Sequence, residues 1–172
     1  GENTEKVLTF QSCSKTYAMT GWRIGYTAGN DKVIKAMEKL QGQSTSCPNS
    51  IAQVAAIEAL TGSQSEISIM RNIFMMRRDY IVNRLNKMNG VHCNIPGGAF
   101  YVFPDFSSYI GNDKKIKSSK DLSMYFLEQK AVVTVAGKAF GSDKNVRFSY
   151  AASDNDLEQA MALVEEALKE LM

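Results

Sequence analysis

Histidine and cysteine are scarce in this sequence, long apolar runs are missing, and neither sign of charge dominates. His92 is the one histidine, and Cys13, Cys47 and Cys93 form an odd set with no C-x-x-C pair among them. That pattern speaks against a disulfide framework, and it offers no zinc site, because a structural zinc needs clustered thiolate and imidazole ligands. No stretch reaches the ~18 apolar residues of a membrane helix, and no basic segment followed by an apolar one opens the chain. A reducing, cytoplasmic setting is the default expectation. Twenty basic residues stand against eighteen acidic ones, a net charge of +2 spread without long runs, so neither a nucleic-acid footprint nor a membrane partner is indicated. The expected partner is small.

What is present is a globular composition. The 172 residues are 44% hydrophobic and 22% charged, enough for one ordinary domain, or one domain plus part of another, around a sizeable core. The chain begins at Gly1 rather than Met and reads as strand by Lys6, so we expect a piece of something longer.

Periodicity predicts strands over Lys6 to Phe10 and Trp22 to Ala28. A helix with Val33, Ile34, Met37 and Leu40 on one face follows a cap at Asn30 or Asp31. "TSCPNSIAQVAAIEAL" predicts a well-packed second helix, with Pro48 near its first turn and its end before Gly62. Ser63 and Glu66 fit a capping box ahead of a long helix carrying Ile67, Met70, Phe74, Ile81, Leu85 and Met88, expected to run to Asn89-Gly90. Met75 and Met76 read as packing residues.

Beyond Gly90 strands and helices alternate. "AFYVF", "AVVTV" and "VRFSY" read as strands, and a helix capped by Ser118 or Ser119 turns Leu122, Tyr125 and Phe126 inward. Ser153 and Asp156 make a second capping box, before a stripe of Leu157, Met161, Val164, Leu168 and Leu171. "SSYIGNDKKIKSSK" reads as an exposed loop.

The chemistry gathers in "FQSCSKTYAMTGWRIGY", residues 10–26, where Lys15 follows an apolar strand. Ser12 and Lys15 form an S-x-x-K pair, and Ser153-Asp154-Asn155 supplies the S-D-N companion of serine acyl-transfer enzymes. That reading needs a K-T-G strand after S-D-N, and the residues after Asn155 are helical, so it remains a remote alternative. The other reading makes Lys15 an amine that forms a Schiff base with an aldehyde cofactor at the mouth of an α/β sheet. Ser12 and Arg23 would then hold a phosphate, the arginine through its planar fork. Singly, each residue also has an ordinary reading: a solvated lysine, an arginine on a backbone carbonyl, an arginine facing water.

"SCSKTYAMTGWRIG", residues 12–25, resembles the lysine-attachment signature of class I and II aminotransferases, the pyridoxal-phosphate enzymes of fold type I similar to aspartate aminotransferase. "TSCPNSIAQ" resembles the family's interface segment, "PGGAFYVF" its first small-domain strand and "VRFSYA" its substrate-carboxylate motif, in the family's order. The resemblance implies an α/β fold: residues 1–64 as the C-terminal part of a large cofactor-binding domain with a mixed sheet, and 65–172 as a long connecting helix and small α/β domain. It implies pyridoxal 5'-phosphate as cofactor, with Lys15 the attachment residue and proton carrier, and Ser12 and Arg23 on the phosphate. Arg147 would take the substrate carboxylate, and Phe100 or Tyr101 would border the substrate. His92 and the three cysteines gain no role from it.

An aminotransferase of aspartate and 2-oxoglutarate type follows, acting on an amino acid and a 2-oxo acid, as a homodimer in its full length. An aromatic or prephenate aminotransferase is the alternative on the same scaffold, and an inactive interaction fragment the alternative of another class. Family chains are more than twice this long. The absent part supplies the acidic partner of the cofactor ring, so these 172 residues alone are expected to be inactive.

Overall fold

A computed structural model describes residues 4–172. The chain divides into two compact units, one ending at Ile69 and one from Met70 to Met172.

In the first unit, β1 (Thr9–Ser12) and β2 (Gly25–Ala28) pair antiparallel, with Thr9 opposite Ala28 and Ser12 opposite Gly25. Both strands start later than the apolar pattern predicts. Thr4–Lys6 winds into a 3₁₀ turn, which delays β1. Thr20–Trp22 forms another, and Arg23 after it is left-handed, with φ 52° and ψ 49°, a conformation no strand contains. Between the strands lies the single helical turn α1 (Cys13–Thr16).

Asn30 caps α2 (Asp31–Ser44) as expected, its side-chain oxygen accepting from the Lys32 amide at 3.0 Å. Asn49 caps α3 (Ser50–Thr61), with Pro48 directly before the cap and so near the first turn as expected, and Gly62 closes the helix on Glu58 O. α3 is less packed than predicted. Ala52 and Ala56 are buried against Cys13, Met19 and Ile24, because alanines let the backbone approach closely, while Ile51, Val54 and Ile57 remain more than 60% exposed.

α4 (Ser65–Asn86) ends before the predicted Asn89-Gly90. The Asn86 side chain turns back instead, accepting from the Cys93 amide at 2.8 Å and donating to Cys93 O at 2.9 Å, and Gly90 takes the turn at φ 68°. Ser63 accepts from the Ser65 amide rather than closing a box with Glu66. Met75 and Met76 are exposed, contrary to the packing role predicted for them.

The second unit holds a three-stranded antiparallel sheet in the order β3 (Tyr101–Val102), β5 (Val146–Ser149), β4 (Val135–Ala136). Its register sets Tyr101 opposite Ser149 and Val135 opposite Arg147. α5 (Ser119–Lys130) is capped by Ser118 and α6 (Asp154–Lys169) by Ser153, each serine accepting from the amide three residues on. The core joins Ile81, Leu85, Leu122, Val164 and Leu168 to the rings of Phe106, Phe126 and Phe148, whose centroids lie 5.9–6.1 Å apart. Residues 107–120 are less exposed than predicted: Tyr109 and Ile116 are buried, and Ile116 bridges to Ile110. Among the described residues no helix is long and apolar enough to cross a membrane.

Candidate active site

Ser12 is the last residue of β1 and also the N-cap of α1. Its backbone is extended, and its Oγ accepts from the Ser14 amide at 3.1 Å, which starts the helical turn that carries Lys15. The Lys15 side chain is exposed. Cys13 between them is fully buried, and its amide donates to Ile24 O at 3.2 Å. That bond ties the Ser12–Lys15 segment to the Arg23–Gly25 segment, so Ser12 and Arg23 come to the same end of the hairpin. Gly25 permits the close approach: a Cβ there would stand 2.5 Å from Gln11 O.

Arg23 holds its left-handed backbone with help from its own side chain, Nη1 donating to Thr20 O at 2.9 Å. Ala18 is also left-handed, at φ 53°. Two such non-glycine residues within one short loop store of the order of 1–3 kcal/mol each, strain that concentrates at functional sites. The remaining guanidinium donors point from an exposed side chain, and one Arg fork, one hydroxyl and one amine are the donor set a phosphorylated aldehyde needs.

Arg147 belongs to the second unit, in the middle strand of its sheet. Val146, Phe148 and Tyr150 are buried in the core, as the alternation predicts, and Arg147 on the other face is half-buried. Its guanidinium lies over the ring of Tyr101 at 4.3 Å and over that of Phe140 at 4.4 Å. Other half-buried arginines have carboxylates: Arg77 meets Asp154, Arg78 meets Asp79 and Arg84 meets Glu165. Arg147 has none among the described residues. Ring contacts use the faces of the guanidinium and leave its N–H edge open to an acceptor.

The rings of Phe100 and Tyr101 lie 4.5 Å apart, tilted by 49°; Tyr101 touches the arginine, and Phe100 leans on Phe74 at 6.1 Å. Phe140 is the residue that sequence reasoning missed. It stands in a 3₁₀ turn (Gly137–Phe140), where neither a period of two nor of 3.6 marks it. Its signal is the pair of glycines, Gly137 and Gly141, that make the turn.

Three other residues stay outside. Burial pushes the Cys93 thiol up to about 11, against a hydrogen bond at the Phe103 backbone, so it is protonated and unreactive at neutral pH. His92 shares a hydrogen bond with Asn94. Ser153, first residue of the S-D-N triplet, uses its hydroxyl as the cap of α6, accepting from the Asp156 amide and donating to the Asp156 carboxylate.

The sequence model of the family described as aminotransferase class I and II matches residues 1–164. The chain is 48% identical over 160 residues to a probable aspartate/prephenate aminotransferase of Rhizobium leguminosarum bv. phaseoli, covering 91% of this chain and 40% of that one. It superposes on the aspartate aminotransferase of Rhizobium meliloti with a TM-score of 0.92 at 41% identity, over 98% of this chain and 43% of that one. The aromatic aminotransferase of Pyrococcus horikoshii OT3 gives 0.87 at 37% identity, over 97% and 44%. The chain thus spans about two-fifths of the length of these relatives.

Proposed function

The chain belongs to the class I and II aminotransferases, and on that premise we propose that it is the C-terminal part of an enzyme moving an amino group between aspartate and a 2-oxo acid. The observation that carries the reading is the hairpin end, where Ser12, Lys15 and Arg23 gather a hydroxyl, an amine and a guanidinium. The chemistry of those residues fits pyridoxal 5'-phosphate, a hydroxyl and a guanidinium for its phosphate and an amine for its aldehyde, and Gly25 opposite Ser12 permits the close strand approach that holds the hairpin end together. When bound, that cofactor supplies an electron sink for the pair left on the substrate α-carbon.

In this reading Ser12 and Arg23 grip the phosphate dianion, and Lys15 Nζ holds the aldehyde carbon. With the cofactor bound, Lys15 Nζ would be the base that holds and moves the proton of the substrate α-carbon. Arg147 would receive the substrate α-carboxylate on its open N–H edge. Residues 1–64 form the end of the large cofactor-binding domain, and 65–172 the connecting helix and small domain. A homodimer in the cytoplasm fits a chain whose three cysteines are free and whose first unit exposes Ile51, Val54 and Ile57.

The test is transfer of the amino group from aspartate to 2-oxoglutarate by the full-length protein, with Lys15→Ala as control. Turnover lost in the variant supports the reading; wild-type inactivity on aspartate, with phenylalanine accepted, replaces it by the aromatic alternative. The 172-residue polypeptide by itself should not turn over, since it spans only part of its relatives' length. Robust turnover by that polypeptide alone contradicts the assignment as a part.

A further inference from the structure

Phe140 is about half exposed, at 48%, yet its ring is not loose. The turn that carries it is fixed at both ends. The Gly137 amide donates to Asn145 O at 2.9 Å, and a Cβ on Gly137 would stand 2.1 Å from that oxygen, so only glycine fits. The Lys138 amide donates to the fully buried Ser119 Oγ at 3.1 Å, and Ser119 in turn donates to Asp143 from its hydroxyl at 2.6 Å and its amide at 3.0 Å. Gly141 closes the turn at φ 87°. Phe103 meets the Phe140 ring edge-on at 6.0 Å and 90°.

All this fixes a ring that gains little from burial. What it touches is Arg147, which β4 has placed two residues before the turn through the pair Val135–Arg147. We infer that Phe140 is a positioning residue for carboxylate recognition: together with Tyr101 it holds the Arg147 guanidinium in one orientation without using any of its N–H donors. The inference rests on the reading of Arg147 as the carboxylate-binding residue. A ring contact of this kind removes side-chain freedom that the arginine would otherwise lose on binding, so the acceptor meets a preset fork.

The experiment measures the Kd of maleate by calorimetry on the full-length holoenzyme and the KM for the amino acid. Phe140→Leu and Phe140→Met keep apolar bulk without the ring, and Phe140→Tyr keeps the ring. We expect the first two to weaken maleate by about 2–30-fold and to raise KM with little change in kcat, and Phe140→Tyr to restore both. Adding Phe140→Leu to Arg147→Lys should weaken maleate no further than Arg147→Lys does, because the ring acts through the guanidinium. Wild-type affinity in both ringless variants, or a full added penalty in the double variant, overturns the inference. If Arg147→Lys itself leaves maleate affinity unchanged, the reading of Arg147 fails instead. If one ringless variant does not fold, shown by circular dichroism, the other decides.

Discussion

Ser12 and Gly25 face each other across the β1–β2 hairpin, at a point where a Cβ on Gly25 would come within 2.5 Å of the Gln11 carbonyl oxygen. That oxygen is backbone and cannot swing away. Gly25→Ala should therefore part the strands and cost about 1–3 kcal/mol, and by moving Ser12 it should also weaken pyridoxal-phosphate binding. Urea unfolding and cofactor titration of the full-length variant check both, and unchanged values in the two would show the close approach to be immaterial.

Arg23 pays backbone strain to present its side chain from a left-handed position. Arg23→Gly relieves the strain and removes the fork, so the two effects separate. Stability should be unchanged or higher by up to about 1 kcal/mol, while affinity for the cofactor phosphate falls by about 10-fold or more. Loss of stability with full cofactor affinity would reverse the roles assigned to this residue.

Ser119 holds the Asp143 carboxyl below its ordinary range, first through its hydroxyl and then through its amide, with Lys138 adding attraction. A carboxylate lowered in the folded state stabilises at pH values above its unfolded value, near 4, and that contribution is lost as pH falls through the lowered folded value. Ser119→Ala also leaves the Lys138 amide without its acceptor. The variant should melt several degrees lower at neutral pH, and the gap to wild type should narrow as the medium is made acid. A gap that stays constant from pH 7 down to about pH 3 would remove Asp143 from the explanation.

Phe126 is fully buried between Phe106 and Phe148. Phe126→Ala opens a cavity in the ring cluster and should cost about 3–5 kcal/mol, read from the urea midpoint at constant slope. A loss below about 1 kcal/mol would mean that the cluster collapses to fill the space.

The same residues show what the sequence could and could not disclose. Val146, Phe148 and Tyr150 alternate with Arg147 so cleanly that the strand and its buried face were legible, as were the serine caps of α5 and α6, because caps and alternation are local signals. The start of β1 was not, since Val7 and Leu8 look like strand while the preceding 3₁₀ turn delays pairing to Thr9. The apolar face of α2 was visible too, but periodicity says nothing of what covers it, and Leu40 remains exposed in this chain. Among the site residues, Lys15, Ser12 and Arg23 stood in one contiguous motif. Phe140 reaches Arg147 only through the β4–β5 register and a glycine turn, so its role required the structure.

The central claim is that Lys15 carries the cofactor aldehyde. The full-length protein, loaded with pyridoxal phosphate and reduced with borohydride, should yield after digestion one pyridoxyl-labelled peptide containing residues 12–23, labelled on Lys15, and Lys15→Ala should yield no such peptide. Label on another lysine in the wild type, or an equal label in Lys15→Ala, contradicts the account.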